Sequence, residues 1–123
     1  MPGRVAAKLF VAPLLVAALS GCGDTRVVDG SRVVSLGLTE YRLVPQSIRA
    51  PSGQLTIFAH NYGRLMHNLA VLANGEGIAT TDPIRPGQTA ELIMTLSPGK
   101  YLMVSTLQSD RALGVYATLA VRP

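Results

Sequence analysis

From Arg32 onward the apolar and β-branched residues fall into short runs: 33–38, 41–43, 47–49, 55–60, 68–72, 89–96, 101–107 and 115–121. Each has the length of a strand, and none carries apolar residues at helical spacing over a long stretch. Alternation is clearest where Ala90, Leu92, Met94 and Leu96 are separated by Glu91, Ile93 and Thr95, and it returns in Leu102, Val104 and Thr106. One face of each run is therefore expected in the core. The connections carry turn chemistry: Pro51-Ser52-Gly53, Asn74-Gly75, Pro86-Gly87 and Pro98-Gly99 all fall between runs. Seven or eight short strands punctuated in this way predict an all-β sandwich or barrel.

The first residues follow another pattern. Arg4 and Lys8 precede an apolar run from Leu9 to Leu19, broken only by Pro13, and the run ends in Leu19-Ser20-Gly21-Cys22. Two cations, an apolar segment and small residues before a cysteine make a signal peptide with a lipobox. The 11-residue run is too short to span a bilayer, which takes about 20 residues. A buried N-terminal helix, or an ordinary signal peptide cut elsewhere, is the competing reading. Residues 1–21 are thus expected to be removed and Cys22 to carry lipid, with the bilayer as its partner. Each buried methylene of the acyl chains then contributes about 0.8 kcal/mol to anchoring on the extracytoplasmic side of a bacterial envelope membrane.

Cleavage before Cys22 removes 21 of the 123 residues and leaves 102, enough for one small domain. Cys22 is the only cysteine, so a lipidated chain has no free thiol, no disulfide and no thiolate metal site. Loss of Arg4 and Lys8 brings the net charge from +4 to +2, and the remaining cations are scattered singly. No basic stripe suited to nucleic acid results. Residues 22–31 are small and polar and read as a tether, which places the folded domain at 32–123.

The order of several short motifs resembles the cupredoxins, a family of Greek-key β-sandwiches. The carriers are Pro45-Gln46-Ser47-Ile48 followed by Pro51-Ser52-Gly53; Asn61-Tyr62-Gly63 with His67-Asn68 close behind; Arg85-Pro86-Gly87-Gln88-Thr89; Ser97-Pro98-Gly99-Lys100-Tyr101; and Gly114 before the last run. The resemblance covers residues 32–122. It implies a type 1 copper held by two histidines, a cysteine thiolate and a weak axial methionine. By the same resemblance His67 stands at the first histidine. Ser105 takes the place of the cysteine, Asp110 that of the second histidine, and Val115 that of the methionine. A hydroxyl cannot supply the short thiolate bond, so no type 1 centre, and no cofactor, is expected. Copper in a weaker, non-blue site is the alternative. His67 would be its first ligand, with Asp110 and Met66 as candidate partners, because imidazole and carboxylate suit Cu(II) and thioether suits Cu(I). His60 and Met103 have the right donor atoms too, but His60 reads as the end of a strand, and Met94 and Met103 as core fillers.

No Gly-x-Ser-x-Gly or His-Glu-x-x-His motif accompanies the two histidines. Ser105, His67 and Asp110 have the residue types of a hydrolytic triad but lack an oxyanion-hole signature, so the chain is not expected to be an enzyme. Tyr62, Arg64, Leu65 and Met66 form a mixed apolar and basic segment before His67, of the composition found in interfaces. The expected function is a binding or accessory module in the envelope that docks another protein there. The alternative is a copper handler built on His67.

Overall fold

The computed structural model describes residues 25–107, 110, 111 and 113–123. The signal peptide, the lipobox and Cys22 lie outside the described residues. Ten strands form two mixed sheets, with no helix among the described residues: β1 Thr25–Val27, β2 Val33–Thr39, β3 Arg42–Val44, β4 Ser47–Pro51, β5 Gly53–Asn61, β6 Ala70–Ala73, β7 Glu76–Thr80, β8 Thr89–Leu96, β9 Gly99–Val104 and β10 Tyr116–Arg122. A six-stranded sheet runs β1-β4-β10-β9-β6-β7 and a four-stranded sheet β3-β2-β5-β8.

The sandwich forms because the inward positions of each sheet are apolar. Strand β2 alternates exposed Val33 and Ser35 with buried Val34, Leu36 and Leu38, and β5 turns Leu55, Ile57 and Ala59 inward. Across the gap Ile48, Met103, Leu119 and Val121 complete one cluster. Each Leu or Ile side chain removed from water contributes about 1.5–3 kcal/mol. Strand β8 behaves as its alternation predicts, with Leu92 and Leu96 buried and Thr89, Glu91, Ile93 and Thr95 exposed.

The sequence-based expectation needs correction in three places. The tether assigned to 22–31 is in part strand: β1 pairs in parallel with β4, from Thr25 opposite Ser47 to Val27 opposite Arg49. Val28 then buries its side chain in the core, and its amide donates to Arg49 O at 2.8 Å. Pairing with β4 and burial of Val28 order a segment that otherwise looks polar, so the domain begins by Thr25. Strand β7 was not expected because, as a sheet edge, it has four of its five residues exposed and shows no alternation. It exists because Asn74 and Gly75 both take positive φ, 52° and 84°, in a two-residue loop that closes the β6–β7 hairpin. At the end of β9 the alternation does not hold: Met103, Val104 and, just beyond the strand, Ser105 are all buried, whereas Leu102 is only half-buried and Thr106 is exposed.

Candidate functional site

His67 follows a loop, 62–66, whose shape is set by its neighbours. The Asn61 side chain donates to Leu65 O and Ile84 O, both at 2.8 Å, and accepts from Gly63 N at 2.8 Å. From the turn between β2 and β3, Glu40 Oε1 accepts the amides of Arg64 at 2.5 Å and Leu65 at 2.6 Å. A Cβ on Gly63 would lie 2.4 Å from Glu40 Oε2, so the carboxylate can come this close only to glycine. Beyond the loop, His67 and Ile84 exchange backbone hydrogen bonds. These restraints deliver the His67 ring, with no exposed surface, to one end of the sandwich.

Ser105 arrives at the end of β9, and Asp110 comes from the loop between β9 and β10. Asp110 Oδ2 accepts from His67 Nδ1 at 2.7 Å and from Ser105 Oγ at 2.5 Å. Ser105 Oγ also receives the Asn68 amide at 3.1 Å and stands 3.2 Å from Asn68 Oδ1. The hydroxyl has one proton, and the shorter, charge-assisted contact to the carboxylate takes it. The Asn68 side chain closes the network, donating to Thr106 Oγ1 at 2.9 Å and accepting from Thr106 N at 2.7 Å. His67, Asn68, Ser105 and Asp110 are all buried. On its other side the His67 ring faces Glu40, with Nε2 3.8 Å from Oε1; this nitrogen is buried and makes no hydrogen bond. Burial pushes the Glu40 carboxyl up. The Leu65 and Arg64 amides, its own amide and the facing His67 outweigh that and hold it below its ordinary value.

The structure therefore places His67, Ser105, Asp110 and Val115 together; the Val115 amide donates to Asp110 O at 2.9 Å and its carbonyl accepts from Ser105 N at 3.1 Å. It does not add His60, which sits partly exposed on the outer face of β5. Met103 is a core residue, and Met66, although next to His67 in sequence, is 45% exposed. The arrangement does not suit a type 1 copper. The hydroxyl of Ser105 and the aliphatic Val115 stand where thiolate and thioether are needed. A single carboxylate oxygen also lies where the His67 and Ser105 donor atoms converge. Among the described residues no group of three or more His, Cys, Asp or Glu is arranged to hold a metal ion. Nor is the order that of a hydrolytic triad, which places histidine between serine and carboxylate; here the carboxylate lies between the other two.

Sequence reasoning missed Glu40. A single glutamate in a turn, 24 positions before the amide it binds, leaves no linear signal beyond the neighbouring Gly63. Asn61 and Asn68 were visible only as parts of motifs, without their bonding roles.

The fold is that of cupredoxins. An auracyanin from the photosynthetic bacterium Roseiflexus castenholzii superposes with TM-score 0.70 at 18% identity, over 77% of this chain and 100% of its own. Auracyanin B does so with 0.66 at 16% identity, over 74% and 88%. An azurin from Methylomonas sp. strain J does so with 0.63 at 14% identity, over 74% and 98%. No protein-family model matches the chain, and no curated protein matches it in sequence.

Proposed function

We propose that this chain is a lipid-anchored, extracytoplasmic module in which a cupredoxin fold has given up type 1 copper and serves binding rather than electron transfer or catalysis. The observation that carries this reading is Asp110 Oδ2, one oxygen that accepts hydrogen bonds from both His67 Nδ1 and Ser105 Oγ. A buried carboxylate there does the cross-linking of loops that a metal ion would otherwise do, and it needs no ion to do so. Anchoring through Cys22 is supported by the lipobox. Docking of another envelope protein is supported by the apolar side chains at the same end: Leu65 and Met66, with Tyr41 and Leu113 more than half exposed beside them. Glu40 joins the turn that carries Tyr41 to the loop that carries Leu65. Gly114, next to Leu113, lies so close to Tyr41 that a Cβ there would be 2.7 Å from its carbonyl oxygen.

The test is a titration of the protein with Cu(II), and with Cu(I) under reducing conditions, beside a His67→Ala control, read by calorimetry and absorbance. The expected outcome is no saturable binding. One equivalent bound at about micromolar affinity or better, lost in the control, would replace this reading with a copper handler that uses His67 in a non-blue site.

A further inference from the structure

The exposed apolar side chains are unevenly placed. Tyr41, Tyr62, Leu65, Met66, Leu113 and Tyr116 are between 45% and 70% exposed. All six stand in the turn after β2, in the loop after β5 or where the chain enters β10, around the end that holds His67 and Asp110. The turns at the opposite end, Ser52-Gly53 and Ser97-Pro98, carry none. An apolar group of this kind on a surface marks a contact with a protein or a membrane. Three of the chain's four tyrosines belong to it, and tyrosine settles at membrane–water interfaces, where its ring meets apolar matter and its hydroxyl stays wet. Arg42 and Arg64 are exposed beside these rings. The carboxylate nearest to them, Glu40, commits one oxygen to the Arg64 and Leu65 amides.

The same end is the one nearest the anchor. Thr25, Ser47, Thr118 and Leu102 lie in one row across β1, β4, β10 and β9. Ser105 follows Leu102 by three residues, so Thr25 is about 10 Å from the level of the buried network. Strand β1 runs parallel to β4 and β10, and β10 starts at Tyr116 beside that network. The first residue of β1 is therefore its nearest one. Cys22 precedes Thr25 by three positions, a length that spans at most about 10 Å.

We propose that this end rests on the bilayer that holds Cys22, with Tyr41, Leu65, Met66 and Leu113 in the headgroup layer and Arg42 and Arg64 facing lipid phosphates. Acyl chains fix Cys22 at the membrane surface, and cations near an anionic leaflet are attracted to it. With this end toward the bilayer, three residues leave no room for a folded partner in between. With the opposite end toward it, the same residues would have to double back along the sheet, and the apolar side chains would face water. A second copy of the chain fits less well, because it would set two positively charged ends against each other. The inference rests on the anchoring proposed above and narrows the docking: this end meets lipid first, and a protein partner reaches it from within the membrane.

The test uses the lipidated chain in vesicles of phosphatidylethanolamine and phosphatidylglycerol that contain no other protein. Cys22 is the only cysteine, and lipid occupies its sulfur, so Leu65→Cys, Leu113→Cys and Pro98→Cys each offer one thiol for an environment-sensitive fluorophore. All three positions are exposed, and a label there leaves the core intact. The expected result is blue-shifted emission at positions 65 and 113, quenched by spin-labelled headgroups, and neither effect at 98. Equal quenching at 65 and 98, or stronger quenching at 98, overturns the inference. So does a blue shift at 65 and 113 that appears in native envelope membranes but not in the lipid vesicles, which gives this end to a protein. The mass of the chain tests the anchor separately. A mass without the diacylglyceryl group removes the anchoring and the inference with it, whereas a lipidated chain without quenching at 65 and 113 removes the inference alone.

Discussion

Asp110 and His67, 43 positions apart in the chain, meet through a 2.7 Å hydrogen bond between Oδ2 and Nδ1, and neither side chain is more than one-tenth exposed. The bond links the loop after β5 to the loop after β9, and Ser105 shares the same oxygen. Removing this carboxylate leaves the histidine Nδ1 unpaired and turns the hydroxyl to Asn68 Oδ1, the longer contact at 3.2 Å.

Asp110→Ala should accordingly lower the stability of the domain by about 2–4 kcal/mol, the cost of stranding a buried histidine and lengthening the serine's hydrogen bond. Ser105→Ala, which removes one donor and leaves the pair intact, should cost about 1–2 kcal/mol. Denaturant unfolding of the two variants measures the difference. Equal effects would mean that Asp110 is not the hub of the network.

Restoring donor atoms should restore colour. The combined variant Ser105→Cys, Asp110→His and Val115→Met supplies thiolate, imidazole and thioether around His67. It is expected to take up one copper and absorb strongly in the visible. A folded triple variant that stays colourless would show that these three positions do not converge as the family's ligands do.

The Glu40 clamp gives a pH dependence whose sign is set. Its carboxyl lies below the ordinary value in the folded protein. Its contribution is therefore complete above the unfolded value and disappears as pH falls through the lower folded value. Hydrogen exchange at the Arg64 and Leu65 amides, corrected for the intrinsic rate, should stay slow at neutral pH and speed up in acid. Glu40→Gln should show the faster exchange at neutral pH already. Exchange that does not respond to either change would remove Glu40 from the control of the loop.

Strand β1 separates two readings of the N-terminal segment. Val28 is 3% exposed, so Val28→Ala should destabilise the domain by about 2 kcal/mol. In a solvated tether the same change would cost nothing measurable. Thermal unfolding of the variant decides between them.

The linear pattern was enough for the strands that bury one face. Alternation in β2, β5 and β8 records which side chains leave water, and that information sits within each segment. The turns were legible for the same reason, since Asn74-Gly75 and Pro98-Gly99 act locally. Edges were not: β7 is exposed along most of its length, and β1 is three residues held by a partner strand 22 positions away. Their order comes from pairing, which no local periodicity reports.

At the candidate site the residue types were readable, including a hydroxyl at Ser105 and an aliphatic side chain at Val115 where the resemblance implies thiolate and thioether. What the sequence could not say is how these side chains pair. That one oxygen of Asp110 joins His67 to Ser105, that Glu40 holds the loop in front of them, and that Tyr41, Leu65 and Leu113 gather at the same end are all consequences of contacts between distant segments. Polar networks of this kind are decided by distances of tenths of an ångström in a low-dielectric interior, and only the packed sandwich sets those distances.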